Sequence, residues 1–450
     1  MKKTFIEETV LFISIVKWAV LAVLVGVVVG IGATIFFLKV LGIGIDVIQS
    51  HQYYFLFLPL VFFTSSALVK YLAPDAEGHG TEKVIEAVHK RWGKIKLIVV
   101  PVKLVATIIT LVGGGSAGKE GPCAQIGGGL ASGIADLLKL TKEDRKRIVI
   151  CGISAGFATV FGTPIAGALF AVEVLVLGKV LHEVLFPALV AAVISFQVSR
   201  TLGMTYFHQS IHLHKFSQIF FVEVLLSGIF FGLVALLLVE TLKLAERFSK
   251  KINIWKPAKG LIGGAVLVIL AFVLTPRYLG LGTGTIEAAV NGGEIPVLAF
   301  FWKILFTSVT LSMGGSGGIL TPVFFIGSTA GSTFAQIFHL DPAMFAAIGM
   351  VALLAGAANT PIAASVMAIE IFGPQIGSYA AIACLVSFIA AGHRSVYASQ
   401  ILGITKSSSI NAPLMKELES INGVDVENKP GKLIFLIKKV FINQFGEKSK

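Results

Sequence analysis

The chain has 450 residues, of which 55% are hydrophobic and 14% charged, with a mean hydropathy of +0.86. A soluble protein of this length is rarely so apolar, so the chain reads as an all-α polytopic membrane protein and not as a string of soluble domains. The formal net charge of +12 does not imply nucleic acid, because the cations cluster in short loops and at the ends, as the positive-inside rule expects: Lys90, Arg91, Lys94 and Lys96; Lys142, Arg145, Lys146 and Arg147; Lys250, Lys251, Lys256 and Lys259.

Basic residues also mark both termini, Lys2 and Lys3 at one and Lys448 and Lys450 at the other, so both are expected in the cytosol and the protein in the cell membrane. Glu7, Glu8 and Lys17 precede an apolar run that continues to Leu38, too long for the apolar core of a cleavable signal. Cys123, Cys151 and Cys384 fall in or beside apolar segments and have no disulfide or metal spacing.

In chain order, residues 1–17 form a cytosolic N-terminal segment and Trp18–Leu38 a first span. Tyr53–Leu72 is a second span. Gly78-His79-Gly80-Thr81-Glu82 then interrupts the apolar pattern, ahead of an amphipathic piece with Val84, Ile85 and Val88. Leu97–Leu140 is apolar but broken by Gly113–Pro122, a stretch with five glycines, Lys119 and Glu120. Ile148–Leu177 is broken at Gly162-Thr163-Pro164, and Val184–Val198 closes the first half. The second half holds Ile219–Leu242, a basic loop, Leu261–Leu274, Gly282–Ile286, and Phe300–Leu311 leading into a second glycine break at Gly314–Pro322. Residues 406–450 turn polar, then end in an apolar stretch with Lys438 and Lys439, expected as a basic amphipathic helix on the cytosolic surface or packed on its own protein.

The halves repeat. Gly114, Gly115, Ser116, Gly118 and Pro122 reappear as Gly314, Gly315, Ser316, Gly318 and Pro322, 200 positions on, although Leu320 replaces Glu120. The Gly78 motif recurs at Gly282, and Thr163-Pro164-Ile165-Ala166 recurs as Thr360-Pro361-Ile362-Ala363. Glu173 and Glu370 each lie ten residues beyond the threonine, a placement that suggests capping or bracing helices in both halves. Residues 18–200 and 215–405 are therefore two repeats. Many of their apolar pieces are shorter than the ~20 residues a full crossing needs, and glycine and proline interrupt them at matching places. Such a pattern predicts broken helices whose ends meet inside the membrane at the repeat interface.

Glycines at a helix start let free amides approach an anion closely. Gly78–Gly80, Gly118–Pro122 and Gly317–Pro322 suit this, each as the start of a short helix aimed at a shared point. A bare small-residue packing role is the alternative, and it is the reading taken for Gly127–Gly129. Glu120 has three readings: a structural carboxylate paired with Lys119, a general base, or a gate that occupies the anion site until an ion or proton displaces it. The pairing is disfavoured, because adjacent helical residues seldom face each other, and of the three the gate is the favoured reading.

The segment Gly118-Lys119-Glu120-Gly121-Pro122 resembles the signature of the CLC family of chloride channels and proton-coupled chloride transporters. Gly317–Pro322 resembles its second pore motif, Pro164–Glu173 its mid-chain helix, and Tyr397 stands where the family keeps a pore tyrosine. The resemblance runs from about Trp18 to Thr405. It implies two inverted-topology repeats of broken, tilted helices and a homodimer with one anion pathway per subunit. Glu120 would be the gate. Gly78, His79, Gly80, Gly118, Lys119, Gly121, Gly318, Ile319, Leu320 and Tyr397 would form the anion site. The expected partners are chloride or a similar small anion and the lipid bilayer, with no cofactor, metal or nucleic acid.

Two departures shape the expectation. His79 stands where the family's first motif has a serine, so His79 is expected at the inner anion entrance. Val174 stands where proton-coupled members carry an internal glutamate, so flux is expected to be passive or weakly proton-coupled. Alternatives are an antiporter with a non-standard proton route, with His182 and Glu183 as one candidate, or a transporter of fluoride or nitrate. From other classes come an intramembrane serine hydrolase built on Ser316, His339 and His393, and a transporter of organic substrates. The first is disfavoured because Ser116 duplicates Ser316, the second because convergent polar and aromatic side chains are missing.

Overall fold

A computed structural model describes residues 2–211, 218–421 and 425–426. No proline or glycine occurs between Lys2 and Val25, and the chain winds without a break into α1 (Lys2–Ile31). The helix thus runs through residue 17, the expected end of the cytosolic segment, without a break. The helix continues through a π-helical stretch, Gly32–Lys39, into α2 (Val40–Ile48). Then come α3 (Leu58–Leu72), α4 (Thr81–Lys90), α5 (Val99–Val112), α6 (Glu120–Leu137), α7 (Lys142–Phe161), α8 (Pro164–Glu173) and α9 (His182–Thr201). The second repeat follows as α10 (Gln218–Lys251), α11 (Lys256–Val273), α12 (Thr283–Val290), α13 (Ala299–Ser312), α14 (Leu320–Phe338), α15 (Pro342–Ala358), α16 (Pro361–Phe372) and α17 (Gly377–Ala390).

The boundaries follow from local chemistry. Gly162 adopts a left-handed C-cap, φ 70°, and ends α7, while Pro164 opens α8 at the position where a missing N–H costs nothing. Thr141 and Asp341 cap α7 and α15 by accepting the N–H groups of Asp144 and Ala343 at 3.2 and 2.9 Å. Helix α10 has 34 residues, roughly 50 Å at 1.5 Å per residue, so it outruns the apolar stretch Ile219–Leu242. By contrast, α8 has 10 residues and α12 has 8, about 15 and 12 Å, too short to cross a ~30 Å apolar layer.

Packing repeats as the sequence does. Gly26 and Gly30 of α1 lie against α9, and Gly228 and Gly232 of α10 lie against α17, with Gly26, Gly228 and Gly232 too close for a Cβ and Gly30 barely wide enough for one. Gly127 meets the backbone of Gly152, and Gly327 that of Gly349, so α6–α7 and α14–α15 approach through glycine. The packing role assigned to Gly127 agrees with this contact.

The repeats meet head to head. Gly118 donates its N–H to the Gly318 carbonyl at 2.7 Å, and Gly318 donates to the Gly118 carbonyl at 2.6 Å. Ser116 N–H donates to Thr310 Oγ1 and Ser316 N–H to Thr110 Oγ1, both at 3.0 Å. These reciprocal bonds are the signature of a local two-fold axis and of inverted repeats.

After Thr405 the chain does not hang free. Strand β1 (Val176–Leu177) pairs in parallel with β2 (Ile401–Leu402), and β3 (Ile410–Asn411) pairs antiparallel with β4 (Asp425–Val426). Lys406 Nζ donates to Asn359 Oδ1 and the Phe388 carbonyl, both at 2.6 Å, tying the segment to α15 and α17. The amphipathic helix expected over 433–445 lies outside the described residues.

Candidate functional site

Two glycine breaks position the site. Gly114 and Gly314 take φ of 97° and 103° just after α5 and α13, backbone that glycine alone adopts without penalty. The chain turns there, and the Gly118–Gly318 pair sets the first turns of α6 and α14 within hydrogen-bond reach. The loop 78–80 completes the convergence. A Cβ on Gly121 would run into the His79 carbonyl and Gly318 Cα, and one on Gly80 into the Gly121 carbonyl. The starts of α4, α6 and α14 therefore share one small volume, each with amides that lack an intrahelical acceptor.

Behind the first loop stands a fully buried lysine. Lys103 donates to the carbonyls of Ala76 at 3.2 Å and Gly78 at 2.7 Å. Its repeat mate Lys303, also fully buried, donates to Tyr278 and Gly280 at 3.1 and 2.8 Å and lies 4.9 Å over the Phe325 ring. Each lysine satisfies two carbonyls of the loop that leads into a short helix, α4 for Lys103 and α12 for Lys303.

Glu120 is 1% exposed. Its carboxylate crosses to the other repeat: Oε2 accepts the Thr321 N–H at 3.1 Å, and Oε1 accepts the Thr321 hydroxyl. Lys119 forms no ion pair with it among the described residues. The pairing of Glu120 with Lys119 is set aside accordingly. Glu120 occupies the donors at the head of α14, and Leu320, at the symmetric position, carries no charge to return the contact.

Toward the other side, three buried polar groups lack partners among the described residues: His79 Nδ1, Thr81 Oγ1 and Tyr397 OH. Thr81 lies beside Tyr397, and Tyr397 packs edge-on against Phe170 at 6.4 Å. Buried hydroxyls without an acceptor are unusual and suit a site that receives an anion or water. A cavity of about 550 Å³ opens from here, and its lining includes His79, Glu82, Ser395, Ser399, Glu246 and Glu419. Ion pairs ring it: Lys90–Glu417 at 2.9 Å, Lys256–Glu77 at 2.8 Å and Lys250–Glu246 at 2.8 Å.

Among the expected anion-site residues, Gly78, His79, Gly80, Gly118, Gly121, Gly318, Ile319, Leu320 and Tyr397 all fall on this convergence or its rim; Lys119 is the half-buried N-cap of α6. Glu173 does the structural work expected of it: its carboxylate accepts the Ile362 and Ala363 N–H groups at 3.0 and 2.8 Å, and Glu370 accepts those of Ile165 and Ala166 at 3.0 and 2.8 Å. Val174 is fully buried. His182 and Glu183 are exposed and outside the cavity lining. Ser316 pairs with Thr107 at 3.2 Å and Ser116 with Thr307 at 3.0 Å. His393 accepts the Lys406 N–H and His339 caps the far end of α14, so neither of these histidines serves Ser316.

Thr321, Lys103 and Thr81 were not singled out from the sequence. Lysines at the same 200-residue offset, deep in apolar helices, are the signal that points to Lys103 and Lys303.

Comparison with known proteins agrees with this geometry. Residues 60–392 match the family model described as voltage gated chloride channel. The chain is 36% identical over 422 residues to a "Chloride/fluoride channel protein" of Pseudomonas syringae pv. tomato, covering 92% of each. It is 28% identical over 356 residues to the "H(+)/Cl(-) exchange transporter ClcA" of Klebsiella pneumoniae subsp. pneumoniae, covering 72% of this chain and 73% of the other. Among solved structures it is similar to a CLC-type fluoride/proton antiporter, with a TM-score of 0.81, 31% identity, and 86% of this chain and 98% of that one covered.

Proposed function

The chain belongs to the voltage-gated chloride channel family, whose members are small-anion channels and transporters, and on that premise we propose that it carries a small anion through a pathway gated by Glu120, with fluoride favoured over chloride. The observation that carries the gate is the Glu120–Thr321 contact. A carboxylate without a cation occupies amide and hydroxyl donors at the head of α14. An anion arriving there competes with it directly. Protonation removes the competitor's charge and frees the donors.

The preference for fluoride rests on donor chemistry and on relatives. Fluoride gives up its water only for strong, compact donors. Thr321, Thr81 and Tyr397 supply hydroxyls, and the helix starts supply amides. Of the relatives above 30% identity, one is described as a chloride/fluoride channel protein and one as a fluoride/proton antiporter. We further propose that the protein works as a homodimer with one pathway per subunit and sits in the cell membrane with both termini cytosolic.

The test is efflux from liposomes loaded with potassium fluoride or potassium chloride, triggered by valinomycin and read with ion-selective electrodes. The proposal expects efflux of both, faster for fluoride. Equal rates remove the fluoride preference, and no efflux of either anion removes the function.

A further inference from the structure

Any proton that leaves Glu120 for the cavity must pass titratable groups or water. Glu173 is committed to the start of α16, and Val174 beside it cannot carry a proton. His182 and Glu183 lie outside the cavity. His79, on the loop before α4, and Glu82, in its first turn, line the cavity, and the His79 backbone abuts Gly121, next to Glu120. His79 Nδ1 is 3.7 Å from Glu82 Oε2, too far for a hydrogen bond and close enough for one after a small rotation. Both side chains line the cavity. On its other side His79 touches the gate region, since its carbonyl lies against Gly121, next to Glu120, and its ring lies against the backbone of Val396, next to Tyr397.

We propose that His79 and Glu82 form a proton station that links Glu120 to the cavity, so that anion movement in one direction is exchanged for protons in the other. This rests on the reading of Glu120 as the gate, and it departs from the passive flux that Val174 alone suggests.

The step balances as follows. Glu120, protonated while displaced from Thr321, gives up its proton as it returns to Thr321 as a carboxylate. The neutral His79 ring accepts that proton directly or through the hydroxyls of Thr81 and Tyr397, which lack other partners. The imidazolium passes a proton from Nδ1 to the Glu82 carboxylate, and Glu82 releases it to cavity water. Tyr397 lies near both Glu120 and Glu82.

The charged groups facing the pair are Lys83 and Glu86 on α4, Lys103 on α5, Glu246 on α10 and Glu419 after α17. Lys103 is held by two carbonyls and Glu246 by Lys250, which leaves Glu82 free to turn toward His79. A purely structural role for Glu82 would call for a fixed partner of its carboxylate, and none is formed within hydrogen-bond distance among the described residues. Its backbone carbonyl, by contrast, accepts from Ser399 at 3.0 Å.

The experiment uses the full chain in liposomes with an imposed fluoride or chloride gradient. Anion efflux and proton movement are recorded together, and the readout is protons moved per anion. Wild type is expected to move protons against their gradient. Glu82→Gln is expected to keep anion efflux and to lower the proton-to-anion ratio by ~100-fold, the lower end of what a positioned proton-transfer group contributes. His79→Gln is expected to lower the same ratio, and Glu82→Asp to retain most of it. An unchanged ratio in both Glu82→Gln and His79→Gln overturns the station, as does wild-type anion efflux with no proton movement. If Glu82→Gln abolishes anion efflux as well, Glu82 is structural and the station falls. Failure of the gate reading looks different: Glu120→Gln would then leave proton movement intact.

Discussion

The Glu120 carboxylate is bound by Thr321, a residue of the opposite repeat, through both the backbone N–H at 3.1 Å and the side-chain hydroxyl. A helix that starts in one half of the chain is thus plugged by a side chain from the other. The plug is held by hydrogen bonds to a charged acceptor, without a cation. Such bonds are worth roughly 1.5–3 kcal/mol each, which on the proposed gating would hold the closed position while leaving an anion able to compete.

Thr321→Val keeps the N–H and removes the hydroxyl. The closed position should lose about 2 kcal/mol, on the scale of one bond to a charged group. Anion leak at neutral to alkaline pH should rise, while leak at acid pH, where Glu120 is released anyway, should change little. Efflux assays across that range decide it. A leak unchanged at every pH means the hydroxyl does not hold the gate.

Glu173→Gln and Glu370→Gln each weaken a carboxylate that accepts two backbone N–H groups at a helix start in the other repeat. Each variant should lower stability by about 1–2 kcal/mol, the scale of a lost helix cap. In detergent, thermal melts should shift down. The proton-to-anion ratio of Glu173→Gln should stay at the wild-type value. A lowered ratio with an unchanged melt would make Glu173 a proton carrier instead of a brace.

This exchange of caps was partly legible in the sequence. Glu173 and Glu370 sit ten residues after matched threonines, and that symmetry pointed to bracing. Which helix each one braces was not legible, since it depends on α8 and α16 lying side by side. The same limit hid Thr321. Its repeat mate is Gly121, so the repeat gave no hint of its role, and nothing in a linear pattern says that Glu120 reaches across the axis. The full length of α1 was not legible from hydropathy alone: charge at Glu7, Glu8 and Lys17 marks the edge of the apolar run but does not stop a helix where no glycine or proline intervenes.

His79→Ser replaces an imidazole by the smaller hydroxyl at the start of α4. Since His79 lines the cavity and abuts Gly121, the fluoride, chloride and nitrate permeability ratios should shift by several-fold, about 1 kcal/mol for one exchanged donor. Reversal potentials under mixed-anion conditions measure this. Unchanged ratios mean that the ring serves packing and not selection.

The most direct test is the pH dependence of anion flux in Glu120→Gln. The amide has the shape of the protonated side chain and no charge to compete with an anion. Wild-type flux should rise as pH falls, because protonation releases the carboxylate from Thr321. Glu120→Gln should conduct anions at a rate that no longer depends on pH and should move no protons. Flux that falls well below wild type and still varies with pH would contradict the gate and make Glu120 a structural residue.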